Sequence, residues 1–506
     1  MLAHVATAVK YPPLHLPEQI AIDHALDLFW VMVERLKVAA QHQEPIHHVE
    51  DTVFRQLLVM GRALLQAFLA ASGDGDVGPT LNLLGAGPAE PPQVLPRIEE
   101  PRSRPYLSIF GEIAITRICY GHDRVEAAPL DARLHLPWRQ YSYLFQQWLG
   151  EFVVDEAHAE AIAKLQTILG LGVSVKASED LNREQAADVE PFQDHMPTPE
   201  PTDEGAILVV TADCKGIPLV RSALGPAAAP PLPAARNHRR GKGEKANKKR
   251  MAAVGAVYTI DPFVRTADEV IDEVVRKQAA NRRPCPCTKR VRADLLLGKV
   301  SLFLWLADEV INRNPQGIKP VVFLSDGELA LHDRQEEYLP ENSTCILDLF
   351  HVMEYLWKAA WCFFNETSQK SEAKQWVEKH LRMLLEGKVR YVISGLRQMR
   401  TKRELKGASR KTIQQVTGYF EKNRDRMKYD EYLAHGLPIG SGVVEGACRH
   451  LVKDRLERTG MRWRPEGAQA MLDLRAISLN GEWAPFWAFH IEQEDERLYG
   501  VFRKAG

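Results

Sequence analysis

The chain has 506 residues, 45% hydrophobic and 26% charged, a globular composition with length for two to four structural units rather than one small domain. The net charge of −1 hides an uneven spread: residues 1–235 carry 17 Lys/Arg against 30 Asp/Glu, and residues 236–506 carry 48 against 36, which points to a polyanion partner for the second half. Seven scattered cysteines are a poor disulfide framework, and no run approaches the roughly 18 apolar residues of a membrane span, so a cytoplasmic protein is expected.

Residues 17–72 read as two helices with apolar faces, either a hairpin packed on itself or a self-association surface. Residues 73–103, rich in Gly, Pro and Glu, read as a linker that closes an N-terminal region 1–103. Leu107 to Tyr120 alternates and predicts a β-hairpin bent at Gly111. Helices are expected at Tyr141–Phe152, Glu156–Leu169 and Lys176–Ala187, the last two around a glycine turn. That pattern fits a helix-turn-helix DNA reader, with Lys176 and Arg183 as its cations, or a plain helical hairpin. An acidic, Pro-rich linker at 188–205 ends this second domain, 104–204.

A third domain, 205–353, opens with Ile207-Leu-Val-Val-Thr-Ala-Asp213, a buried strand ending on aspartate, after which Cys214–Arg221 turns back as another strand. An Ala/Pro segment at 223–235 precedes a basic run that includes Arg239, Arg240, Lys248, Lys249 and Arg250, which reads either as a solvated loop or as a contact to a nucleic-acid backbone. Strands are expected at Met251–Ile260, Lys319–Asp326 and Cys345–Asp348, and helices at Thr266–Gln278, Lys289–Asn312 and Glu328–Glu337. Cys285-Pro-Cys287 lacks the second pair that a structural zinc site needs. Residues 354–435 read as an all-helical insertion. The final part, 436–506, begins with a Gly436–Gly442 loop and a helix carrying Glu445, with Arg449, Lys453 and Arg455 after it, and ends in an aromatic tail suited to packing.

Asp213 and Asp326 each close an apolar strand, where side chains of an α/β sheet converge on one crevice. Two carboxylates meeting there repel unless a cation intervenes, and hard oxygen ligands suit Mg²⁺, with Mn²⁺ as a substitute. Glu445 would complete ligation of a second ion, and two ions serve in-line displacement at phosphorus.

Thr211-Ala-Asp213, Val254-Gly-Ala-Val-Tyr258, Leu324-Ser-Asp-Gly327, Asp348-Leu-Phe-His-Val-Met-Glu354 and Gly440-Ser-Gly-Val-Val-Glu445 with Gly460-Met-Arg-Trp463 carry a resemblance, joined by Phe110-Gly-Glu112 and Pro129-Leu-Asp131. Over residues 104–463 the chain resembles the transposases of bacterial insertion sequences that have a ribonuclease-H-like Asp-Asp-Glu core, and within them the Kra group, relatives of the Mutator-like transposases. The resemblance implies an α/β ribonuclease-H-like mixed sheet with flanking helices and a helical insertion, preceded by a mainly helical region with a β-hairpin. It implies that Asp213, Asp326 and Glu445 hold two divalent ions, and that Asp348 and His351 form the family's Asp-x-x-His motif. By analogy His351 contacts a phosphate or the scissile strand and Asp348 orients it. The implied partners are double-stranded DNA, as terminal inverted repeats and target, and further copies of the chain, with no membrane. The expected setting is the bacterial cytoplasm at the nucleoid. The Ala/Pro segment departs from the family pattern, and without a Cys/His cluster end recognition falls to the helices in 138–190 or elsewhere. A nuclease of the same fold without strand transfer, and an inactive DNA-binding regulator, are the alternatives.

Overall fold

A computed structural model describes residues 16–83, 93–220, 249–278, 283–458 and 460–503. The Ala/Pro segment and the basic residues Arg239, Arg240 and Lys248 lie outside these described residues. The chain forms two compact units, Met1–Asp188 with Trp483–Gly506, and Val189–Glu482.

The first unit opens with α1 (Leu16–Gln41) and α2 (Ile46–Ala71). They bury mainly small residues, Ala25, Ala39, Ala63 and Ala67 with Met32, while Phe29, Trp30, Leu57 and Phe68 stay exposed. Contrary to the sequence expectation, α2 is by length and composition long and apolar enough to cross a membrane, although little of it is buried. The stretch expected to be a linker contains two short antiparallel strands, β1 (Thr80–Leu83) and β2 (Gln93–Pro96). The expected hairpin follows as β3 (Arg102–Ser108) and β4 (Gly111–Arg117), turning at Gly111. Next come α3 (Pro129–Arg133), α4 (Tyr143–Val153), α5 (His158–Leu169) and α6 (Val175–Ala186). The Pro129-Leu-Asp131 motif has a structural use, because buried Asp131 bridges Arg104 at 2.9 Å and Arg117 at 2.6 Å and so ties α3 to both hairpin strands.

The second unit begins with α7 (Val189–His195), a helix inside the expected acidic linker. Its sheet contains β5 (Ile207–Pro218), β6 (Lys249–Ile260), β7 (Cys287–Asp294), β8 (Val321–Ser325) and β9 (Thr344–Leu347). The spatial order is β7-β6-β5-β8-β9; β6 runs antiparallel to β5 and β7, while β8 is parallel to β5 and to β9. The architecture is therefore mixed α/β around a five-stranded mixed sheet. Two expectations are corrected. β5 does not end at Asp213 but continues to Pro218, because Cys214–Pro218 keep pairing with β6 rather than folding back. Cys287–Asp294 is an edge strand rather than the start of a helix, with Val291 and Ala293 buried at strand spacing.

Helices α8 (Ala267–Ile271), which continues as a π-helical turn over Asp272–Arg276, α9 (Lys299–Arg313) and α10 (Leu329–Tyr338) join the strands. Then α11 (Leu349–Ala360), α12 (Lys370–Leu385), α13 (Val389–Lys402), α14 (Gly407–Asn423) and α15 (Tyr429–Ala434) form the expected helical segment. Alternate strand residues explain how it sits. Leu208, Val210 and Phe323 pack with Leu302, Phe303 and Leu306 of α9. Val209, Val322 and Leu324 share a cluster with Leu356, Leu381, Ile413 and Phe420. The helical insertion is thus the second layer of the sheet, covering a face that would otherwise leave buried-strand residues in water. The chain ends with α16 (Gly442–Ala447), a π-helical turn over Cys448–Lys453, α17 (Asp454–Leu456) and α18 (Pro465–Leu479), and finally α19 (Trp483–Arg503), which belongs to the first unit. Phe486 and Trp487 of α19 are buried, as a packing tail should be.

Candidate functional site

Three neighbouring parallel strands place three aspartates. The last register pair between β5 and β8 is Thr211 with Leu324, and Asp213 and Asp326 each follow two residues later. The last pair between β8 and β9 is Ser325 with Leu347, and Asp326 and Asp348 follow directly. Asp326 and Asp348 therefore stand just past the ends of β8 and β9, and Asp213 lies where β5 has left its pairing with β8 but still pairs with β6. Asp213 is half-buried; its Oδ2 accepts a 3.4 Å contact from the Cys448 thiol beyond α16, and its Oδ1 accepts the Cys214 N–H. Asp326 sits in a turn that Gly327 completes at φ +84°, accepts the Glu328 N–H at 2.9 Å, and is held by the Tyr419 hydroxyl, which donates to its carbonyl at 2.6 Å.

Asp348 is fully buried and caps α11, accepting the Phe350 N–H at 2.6 Å on one oxygen. Its other oxygen accepts the Ser441 N–H at 3.0 Å, while the Leu349 N–H donates to the Ile439 carbonyl at 2.9 Å. These two bonds fasten the loop before α16 to the start of α11, which fixes where Glu445 points. Among the described residues, Asp348, His351 and Glu445 bring their ligand atoms within 4.8 Å of one another. Asp213 and Asp326 do not join that group, so the clustered trio differs from the Asp213, Asp326 and Glu445 set that the resemblance implies. Ser441 occupies the position before α16 but makes no side-chain cap; its backbone N–H does the work.

The electrostatics tie the five residues together. The Asp348 carboxylate lies 3.9 Å from His351 Nδ1, too long for a hydrogen bond but a close ion pair. It raises the imidazole to about 9 against the opposing effect of burial, with Asp326 and Glu354 adding to the rise. Burial raises the Glu445 carboxyl, and Asp348, Asp213 and Glu354 raise it further, while His351 alone opposes them. A site whose neighbouring acids raise the Glu445 carboxyl is short of positive charge. Oxygen-rich donors of this kind fit a hard divalent cation, Mg²⁺ with Mn²⁺ as a substitute, while a cationic His351 is a proton donor rather than a ligand.

Compared with known protein families and with curated proteins, the chain matches none.

The residues expected to touch a DNA backbone are scattered in their circumstances. Arg455 is fully buried, its guanidinium 5.0 Å from the Trp463 ring centroid, so it is a packing residue and not a backbone contact. Lys249 pairs with Glu457, Arg250 donates to the Leu296 carbonyl, and Arg449 lies 3.8 Å from Asp454. Arg449 and Lys453 are exposed, and a π-helical turn between them displaces the i+4 spacing expected from Glu445 onward. Lys176 and Arg183 on α6 both pair with Asp180, which leaves that helix without a basic face. Sequence reasoning missed Tyr419 and its stacking partner Tyr355, with rings 3.9 Å apart and nearly parallel. A tyrosine inside a charged helical run carries no signal of its own.

Proposed function

We propose that the protein is a DNA transposase with a ribonuclease-H-like core, which cleaves phosphodiester bonds at the ends of a mobile element and joins the freed ends to target DNA. The observation that carries the reading is the placing of Asp213, Asp326 and Asp348 just past the mutual pairing of three neighbouring parallel strands, with His351 in the first turn of α11 and Glu445 brought beside it by a loop about 90 residues further on. The sheet beneath them is mixed, as such a core requires. Asp213, Asp326 and Glu445, with Asp348 and His351 beside them, would hold the divalent ions; those ions supply charge neutralisation at the phosphoryl oxygens. His351, kept cationic by Asp348, is placed to donate to a phosphate oxygen. Asp348 has little freedom to do more, since both oxygens are engaged in holding α11 and the Glu445 loop. A break at each end of one element needs two such sites, so the working form is an oligomer on double-stranded DNA.

The test uses a supercoiled plasmid carrying this gene with its native flanks, incubated with the protein in Mg²⁺ or Mn²⁺ and mapped for breaks at nucleotide resolution. Breaks at two inverted ends are expected, reduced more than about a hundredfold by Asp213→Asn, Asp326→Asn or Glu445→Gln, the scale of losing a group that stabilises charge directly. Scattered breaks lost in the variants would replace the transposase by a nuclease. Tight end binding without breaks in any metal would remove the enzymatic reading.

A further inference from the structure

The loop that carries Glu445 also walls a cavity of about 290 Å³. Gly440, Val443, Phe350, Phe263, Arg265 and Arg283 are among its lining residues. Phe350 adjoins His351 in sequence and remains 38% exposed, although it is a large apolar residue beside the candidate site. Its ring lies over Gly440, where a Cβ would come within 2.9 Å of Phe350 Cε2, so the glycine makes room for the ring. Arg265 has its guanidinium 5.2 Å from the Phe263 ring centroid, and its buried Nε has no hydrogen-bond partner. Burial, and then the charge of Arg283, lower Arg265 to about 10, so it is still a cation at neutral pH. Arg283 is engaged by Glu273, and the remaining charged wall residue is Asp261.

The chemistry of the occupant follows from these walls. The volume is at the small end for ligand pockets, which suits one planar heterocycle and excludes a peptide helix. Apolar and aromatic walls favour a flat ring, and a half-buried guanidinium whose Nε has no partner favours an anion attached to it. We infer that the cavity receives one nucleotide of the DNA strand swung out of its stack beside the candidate site, its base against Phe350 and its phosphate on Arg265. This inference rests on the transposase reading for its DNA, but not for its ring-and-anion chemistry. Extruding a base costs stacking that a shaped aromatic pocket returns, and it turns the adjoining phosphate toward the protein.

The experiment uses the full-length protein in EDTA, so that divalent ions play no part, and titrates it with each 5′-deoxynucleoside monophosphate, with deoxyadenosine, and with inorganic phosphate. Saturation-transfer NMR and calorimetry report binding. A monophosphate is expected to bind at least about tenfold more tightly than nucleoside or phosphate alone, and Phe350→Ala or Arg265→Met should each weaken it about tenfold or more. Phe350→Trp should keep the binding, which separates loss of the stacking face from misfolding. Absence of monophosphate binding, or binding unchanged in both variants, overturns the inference while leaving plasmid cleavage as an independent result. Monophosphate binding without any plasmid breaks would instead sink the transposase and keep the cavity.

Discussion

At the scale of single residues, Asp348 does two kinds of work that one substitution can separate. It caps α11 and anchors Ser441 through hydrogen bonds, and it holds His351 cationic through charge. Asp348→Asn removes the charge and keeps one of the two oxygen acceptors, giving up one backbone bond, to Phe350 or to Ser441. In EDTA, NMR titration of the His351 ring should therefore show its pKa fall from about 9 toward the ordinary value near 6.5, with the fold retained. An unchanged titration would mean that Asp326 and Glu354 hold the proton instead. Asp473 on α18 offers a second test. Burial raises its carboxyl to about 7, with Asp294 and Glu190 adding, although Gln469 donates a 2.8 Å hydrogen bond to it and Arg292 opposes the rise. The folded protein thus binds a proton here that the unfolded chain releases near pH 4, so the stability from this group is present below pH 4 and is lost as pH rises through 7. Asp473→Asn should raise the urea midpoint at pH 8, by a contribution of about 1–2 kcal/mol because the group is only partly buried, and should change it little at pH 4. Equal effects at the two pH values would show that Asp473 does not titrate in this range.

At the scale of elements, the turn after β8 is the most constrained. Gly327 has φ +84°, and a Cβ there would lie 2.7 Å from Leu347 Cδ1 and 3.1 Å from Asn423 Nδ2. Gly327→Ala should lose about 1–3 kcal/mol in thermal melts and displace Asp326 from the strand end. A melt equal to the parent's would show that the turn relaxes freely. This glycine was visible in the sequence, as were β5 and β8, because central strands buried on both faces are bare apolar runs, and so was the short apolar run of the edge strand β9. The edge strand β7 was not. Its cations Lys289, Arg290 and Arg292 resemble a solvated helix face, but in the fold Arg290 pairs with Glu309 and Glu482, and Arg292 approaches Glu190. The grouping of Glu445 with Asp348 and His351 was equally hidden, because it depends on one backbone–backbone bond and one bond from a backbone N–H to the Asp348 carboxylate, between segments about 90 residues apart. Spacing along a chain carries no trace of such bonds.

At the scale of the whole molecule, the first unit is closed by the last helix. Asp188 receives His490 Nδ1 at 2.6 Å and both terminal nitrogens of Arg497, and the Tyr499 hydroxyl donates to the Leu136 carbonyl at 2.7 Å. These bonds hold Asp188 below the usual carboxylate range in spite of its burial. A chain ended after Glu482 should therefore lose amide-exchange protection in α4, α5 and α6 while keeping it in β5, β8 and β9. Retained protection in α4–α6 would show that the first unit stands without α19. The aromatic run of α19 was legible as packing, but its destination was not, since nothing in Trp483–Arg503 names the segment it pairs with.

The return of α19 also sets a timetable for synthesis. The second unit, residues 189–482, lies between the two segments of the first, and at about 5–20 residues per second a ribosome needs roughly 15–60 s to cross it. Throughout that interval the earlier-made segment waits without its final helix, so the order of folding is inverted: the later unit closes first. A stop codon anywhere in that stretch before Glu445 yields a polypeptide with neither a finished first unit nor all five site residues. Half-made copies thereby lack part of the candidate site, and they are left open to proteases and chaperones.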